Sequence, residues 1–370
     1  MTLTAFDELL GRRVSMRALA VLRVPVGFVT LLHLRPFLER ARDGRIYRDL
    51  FHEPYASWYP ELPRALYVTL LWIAALAAFA MTIGLATRIA TVITFAAVTY
   101  NLFVSTTHMH NNRAYLVIVL AALAVAPCGR EFSVDAHIRS RRGRPLLDPN
   151  APGWPLWLLR FEASVVYGAS GVSKLLDPDW FGGRVAWERM LDQRANLENS
   201  PLPDWAVSVL TDRTFNAGSA KLVVLTEIFI AGALWSRRTR YLAVWVAVVF
   251  HVAIELSASV QVFSYLAIST LLIWAVPSTR DRVLIVDPAA PNGRRLLTTV
   301  RALDWLARFR VEPAPPGAPL QVVDRDGTMF ERGDATAFVL SRLPLTAWFA
   351  LPLVPFARRT RTRSRAIRAS

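Results

Sequence analysis

The sequence predicts an all-α polytopic membrane protein, with about eight transmembrane helices, followed by a small α/β domain. Three observations carry that fold class. The 370 residues are 54% hydrophobic with 12 Trp, and mean hydropathy is positive, which is too apolar for one soluble domain of ordinary composition. The apolar residues collect into segments close to the ~20 residues that a bilayer requires. After Val276-Pro277 that texture stops, and β-branched runs alternate with amphipathic stretches.

Proline and glycine delimit candidate spans at 18–34, 65–85, 89–104, 114–127, 154–176, 218–235, 241–257 and 260–276. The third, fourth, seventh and eighth are short for a full crossing. Arg12, Arg13 and Arg17 precede a first span that carries Arg23 and Pro25 and lacks a small-residue cleavage site. It reads as an uncleaved helix rather than a signal peptide. Segments 35–64 and 177–217 read as long extramembrane loops. The short loops after spans two, four and six hold Arg88, the cluster Arg130 to Arg144, and Arg237, Arg238 and Arg240. By the positive-inside rule those loops and both termini are cytoplasmic, in a multi-pass protein of the cell membrane. Lys174 then falls near the outer surface.

The net charge of +15 fits basic loops beside anionic lipid, so the bilayer is the expected partner and nucleic acid is not. Cys128 is the sole cysteine, which excludes an intramolecular disulfide and a cysteine metal cluster.

The domains are expected at 1–277 for the membrane part, 278–357 for the α/β part and 358–370 for a basic tail. VLIVD (283–287) is a strand, RRLLTTVRALDWLARF (294–309) has helical apolar spacing, and EPAPPGAP is a linker. LQVVDRDGTMF reads as a strand pair around Asp326-Gly327, and GDATAFVLSRLP as a helix. The order is β-α-β-β-α. The tail holds six arginines and no acid, a solvated segment with affinity for lipid headgroups.

Lys174 raises the functional question. Of 43 basic residues only Lys174 and Lys221 are lysine. A lysine near a membrane helix centre costs about 2.5–3.5 kcal/mol on insertion scales. Arginine would snorkel equally well but cannot lose its proton, whereas a desolvated lysine can. Tyr167, Gly171 and Lys174 share one helix face, flanked by small residues that let a helix or a flat ligand approach. An interfacial snorkelling anchor is the plain alternative. His251 and Glu255, at i and i+4, suit a buried hydrogen-bonded pair, either functional or a polar plug. In HMHNNRAY (108–115), His108 and His110 form a weak metal signal. Asn111, Asn112 and Arg113 cluster donors at a helix start, where an Asn helix cap is the plain alternative.

VVYGASGVSKLLDPDWFGG resembles the lysine-containing segment of vitamin K-dependent γ-carboxylases and the wider horizontally transferred transmembrane (HTTM) family. STTHMHNNRAYL and FHVAIELSASVQVFSYLA resemble two further segments of that family. The similarity runs in order from about Leu22 to Pro277 through LRVPVGF, MTIGLATRIA and REFSVDAH. The resemblance implies that the lysine matching Lys174 deprotonates reduced vitamin K or a menaquinol. Oxygen then yields a strong base that takes a γ-proton from a glutamate, which captures carbon dioxide. On this reading Lys174 and His251 are the catalytic candidates. Asn111, Asn112, Arg113, Tyr115, Tyr167 and Gly171 line a quinone site, a peptide or protein is the substrate, and no metal is required. Arg113 departs from the family, which has histidine there, and leaves an altered or anion-binding corner. The extramembrane domain that holds the propeptide of the animal enzymes is missing. A non-catalytic partner in peptide export, maturation or immunity is the second class.

Residues 282–356 resemble the thiol-disulfide oxidoreductase family named for its Asp-Cys-Cys signature, which has a thioredoxin-like fold. Asp287 is kept, but Ala290 and Gly293 stand at the cysteine positions, so dithiol exchange is impossible. An unrelated α/β cap is the alternative.

Overall fold

Helices occupy all eight apolar segments. The computed structural model describes residues 8, 10–44, 54–236, 238–258, 262–276, 282–304, 308–324, 327–343 and 345–346. The basic tail and Arg237 lie outside these. Two compact units are present, Met1–Trp274 and Ala275–Ser370.

The first unit begins β1 (Arg13–Ser15), α1 (Arg17–Arg42), α2 (Arg64–Ile83), α3 (Thr87–Phe103), α4 (Asn111–Val125), α5 (Val134–Arg141) and β2 (Asn150–Pro152). It continues α6 (Trp154–Leu176), α7 (Pro178–Phe181), α8 (Arg184–Asp192), α9 (Arg194–Glu198) and α10 (Asp204–Leu210). It closes with α11 (Arg213–Ala233), α12 (Arg240–Ala258), α13 (Val262–Thr270) and α14 (Leu272–Ala275). Among the described residues, three helices, α1, α2 and α11, are long and apolar enough to cross a membrane by length and composition. Apolar side chains on α2, α3 and α11, among them Leu76, Phe79, Ile89, Leu222 and Leu225, face outward. An exposed apolar belt of that kind is matched by lipid tails, not water.

Lipid is as apolar as leucine, so close packing and internal hydrogen bonds must hold such helices together. A Cβ on Gly27 of α1 would collide with Thr82 of α2, which shows how near the two backbones run. Buried arginines act as staples. Arg160 on α6 donates through Nε and Nη2 to Ile273 O at 3.2 and 2.9 Å, between the rings of Trp157 and Trp274. Arg23 on α1 donates to Met81 O, to Thr82 O at 3.0 Å and to Phe132 O at 2.7 Å.

That second staple gathers three of the family-like segments. Gly84, at φ 73°, ends α2, and a Cβ there would collide with Ser133. Asp135 accepts from Ala86 N, Thr87 N and Thr87 Oγ1 at 2.8, 2.8 and 2.7 Å, which satisfies the free N–H groups that open α3. LRVPVGF, MTIGLATRIA and REFSVDAH therefore make a structural joint.

Neither long extramembrane segment is wholly a loop. α1 continues through Pro36 to Arg42, although 45–53 lie outside the described residues. Segment 177–217 folds as α7 to α10. Asp177 accepts from Asp179 N and Trp180 N to start α7, and Trp187 Nε1 donates to Thr211 O at 3.0 Å. Mixed charge hid the amphipathic spacing of these short helices.

The second unit runs β3 (Arg282–Val286), α15 (Pro291–Leu303), β4 (Phe309–Pro313), β5 (Gln321–Val323), β6 (Met329–Glu331) and α16 (Arg332–Leu340). The sheet order is β4-β3-β5-β6, with β3 parallel to β4 and antiparallel to β5. The expected strand pair is β5–β6, with Val322 opposite Phe330. Asp326 itself lies outside the described residues. The expected order lacked β4, because helical spacing runs on past the true helix end. Asp304 stops α15 by accepting from Arg308 N and Phe309 N at 2.7 and 2.9 Å, which turns the chain into a strand. Leu284, Val286, Leu296, Leu297, Val300, Val322 and Val339 form the core.

Candidate functional site

α6 and α11 pack side by side because their facing residues are small. Gly168 has Ala231 as its neighbour, and a Cβ on Gly171 would stand 3.0 Å from Ile228 Cγ1 and 3.2 Å from Glu227 Cβ. That approach brings Lys174 and Glu227 together. Lys174 Nζ donates to Glu227 Oε1 and Oε2 at 2.6 and 2.8 Å and to Ser170 Oγ at 2.6 Å. Ser170 Oγ in turn donates to Glu227 Oε1 at 3.0 Å. The Lys174 and Glu227 side chains are 17% and 6% exposed, so Lys174 is held inside rather than snorkelling outward. The sequence reading missed Glu227. Its signal was present: it is the one acid within the apolar segment 218–235, as anomalous there as Lys174 in its own helix.

A cavity of ≈ 660 Å³ opens beside the pair, lined by α6, α11, α12 and the α7–α8 segment. α6 contributes Tyr167, Ser170 and Lys174, α11 contributes Glu227 and α12 contributes His251. Tyr167 OH and His251 Nε2 share a hydrogen bond of 2.7 Å. His251 Nδ1 is buried with no hydrogen-bond partner among the described residues. The expected His251–Glu255 pair does not form: the imidazole turns to Tyr167, and Glu255 Oε2 is buried with no partner among the described residues. Trp180 stands at the cavity edge with Lys174 Nζ 5.1 Å and Arg189 Cζ 5.2 Å from its ring centroid. Phe250, Ile254, Phe263, Val166 and Val223 make the remaining wall apolar.

The HMHNNRAY segment divides. Asn112 lines the cavity, as does His110. The helix cap is His110 rather than an asparagine, since its Nδ1 accepts from Asn112 N at 3.2 Å. His108 is buried and donates from Nδ1 to Asn101 O at 2.8 Å, so the two histidines do not converge. Asn111 is exposed and does not line the cavity. Arg113 lies away from it, donating to His108 O at 2.9 Å and stacking on Phe37 at 4.9 Å. It borders a separate cavity with Arg40 and Tyr265. Tyr115 is buried and donates to Thr270 Oγ1 at 3.2 Å. Gly171 serves helix packing. Of the eight residues singled out, Lys174, His251, Tyr167 and Asn112 meet in one cavity.

In the second unit, Asp287 at the end of β3 accepts from Gly317 N and Ala289 N at 2.9 and 2.8 Å. Those donors hold its carboxyl below the usual carboxylate range. Ala290 and Gly293 border a cavity of ≈ 610 Å³. A Cβ on Gly293 would collide with Asp287 O.

A model of the HTTM domain family matches residues 12–278. No curated protein and no solved structure matches the chain.

Proposed function

This chain belongs to the HTTM domain family and is a membrane protein of the γ-carboxylase-like kind, and from that premise we propose that it is a quinol-dependent enzyme with Lys174 as its base. The observation that carries this is the buried Lys174–Glu227 pair on the wall of a largely apolar cavity. The site suits a quinol: apolar and aromatic side chains face a flat ring, and the orphaned His251 Nδ1 offers a partner to a ring oxygen. Lys174, His251, Tyr167 and Asn112 are the residues that would hold reduced vitamin K or menaquinol. When bound, that group supplies the electrons for chemistry with oxygen, and carbon dioxide is the second gaseous substrate.

The chain's own part is proton handling. Passing one Nζ proton to Glu227, which is hydrogen-bonded to it through both carboxylate oxygens, leaves Lys174 as a neutral amine that takes a proton at the cavity wall while Glu227 holds the first. Ser170 fixes the geometry of both. Arg189, at the Trp180 edge, offers a cation to a substrate carboxylate, which fits a glutamate-bearing peptide or protein. We read all eight apolar helices as spans with both termini cytoplasmic, which puts Lys174 at the outer end of α6. Strand order β4-β3-β5-β6, with a helix after β3 and another after β6, supports a thioredoxin-like second unit without redox activity.

The test combines lipid extraction of the purified protein, sought for a copurified menaquinone, with oxygen uptake on adding reduced quinone. Wild type should retain quinone and consume oxygen. Lys174→Arg should keep expression and membrane insertion but lose uptake, because arginine does not release its proton. Equal uptake by wild type and Lys174→Arg rejects the base role. Absence of both quinone and uptake leaves the non-catalytic partner.

A further inference from the structure

We propose that the segment joining α4 to α6 builds a binding site for the headgroup of an anionic phospholipid, about 30 Å of helix away from Lys174 along α6. A cavity of ≈ 220 Å³ there is lined by Arg130, Arg139, Arg142 and Arg144 and one acid, Asp135, with Leu146 and Leu147 beside them.

Two arginines are positioned by backbone carbonyls. Arg130 donates to Asp148 O and Asn150 O at 2.7 and 3.0 Å, and Arg139 to Pro145 O at 2.6 Å. The guanidinium groups of Arg142 and Arg144 make no hydrogen bond or ion pair among the described residues. The nearby acids are committed elsewhere. Asp135 caps α3, Asp148 pairs with Arg13 at 2.7 Å, and Glu131 pairs with Arg17. Four arginines therefore face one lining carboxylate, Asp135, and an anion with several acceptor oxygens matches the surplus.

The fold says which anion. Asp135 N donates to Gly84 O at 3.0 Å, which fastens α5 to the turn between α2 and α3. The outward-facing apolar belt of those helices reaches that turn at Ile83, Leu85 and Ile89, 37%, 42% and 64% exposed. Leu146 and Leu147, 64% and 47% exposed, add apolar surface at the arginine cavity itself. A cationic floor with a leucine rim at the edge of a lipid-facing belt matches a phosphodiester that carries acyl chains. A soluble phosphate has no use for the leucines.

The experiment is a native mass spectrometry titration of the full chain, delipidated in detergent, with phosphatidylglycerol, phosphatidylcholine or inorganic phosphate. Wild type should take up phosphatidylglycerol in preference to phosphatidylcholine. R142Q/R144Q should weaken that uptake about tenfold or more with an unchanged melting temperature in detergent. L146S/L147S should weaken it as well. The charge-matched R294Q/R301Q, in the exposed surface of α15, should bind as wild type does. Equal loss in both arginine pairs, equal binding of the two lipids, or complete displacement of phosphatidylglycerol by millimolar phosphate would overturn the proposal.

Discussion

Removing Glu227 separates a desolvated ion pair from a surface one. With side-chain exposures of 17% and 6%, Glu227→Ala leaves the Lys174 ammonium inside the helix interface with Ser170 Oγ as its remaining partner. Breaking a buried pair from one side costs about 3–5 kcal/mol, while an exposed pair is worth about 0–1 kcal/mol. Replacing both partners by apolar residues of similar size removes both desolvation penalties and is often neutral or better. Lys174→Met/Glu227→Leu should therefore melt close to wild type, well above Glu227→Ala and above Lys174→Met, which strands the carboxylate. Scanning fluorimetry and denaturant titration of the four proteins in one detergent give the cycle. A Glu227→Ala protein within about 1 kcal/mol of wild type would refute the buried pair. A double variant less stable than either single one would refute it as well.

Gly171→Val should force α6 and α11 apart, since a Cβ already stands 3.0 Å from Ile228 Cγ1. The expected cost is about 1–3 kcal/mol, read as a lower melting temperature, with the Lys174–Glu227 contact stretched. Asp135→Ala strips three acceptor bonds from the start of α3. It should cost about 1–3 kcal/mol and raise hydrogen exchange at Ala86 and Thr87. Asp287 has a lowered carboxyl pKa in the folded unit, so its stabilisation is present above the ordinary value of ~3.9. It fades as pH falls through the lowered one. Hydrogen exchange in β3 should therefore be faster in Asp287→Asn than in wild type at pH 7, and the difference should shrink towards pH 3. An undiminished difference would count against the carboxylate.

The positions of the eight apolar helices were legible because each is a local property: a stretch with few charges, bounded by proline, glycine or arginine. The same locality made Lys174 conspicuous and allowed α6 to be drawn with Tyr167, Gly171 and Lys174 on one face. It misled where a local pattern had a competing partner. Helical spacing beyond Leu303 ran on in sequence, but Asp304 accepts from Arg308 N and Phe309 N, at the start of β4. Asn111 and Asn112 looked like caps, but His110, one residue earlier, reached the free N–H first.

The sequence by itself determined the membrane class, the break near residue 277 and the oddity of one lysine, since composition and periodicity are read residue by residue. Tertiary structure alone decided what that lysine meets. Glu227 lies 53 residues away, and His251 is 84 from Tyr167. No spacing rule links positions that far apart. The small residues of α6 and α11 let two backbones close on each other, and only that approach turns an isolated lysine and an isolated acid into a pair. Packing between helices likewise gives the His251 imidazole to Tyr167 rather than to Glu255 one turn along its own helix. A cross-helix partner at 2.7 Å outcompetes an i, i+4 neighbour when the packing aims the ring across the interface.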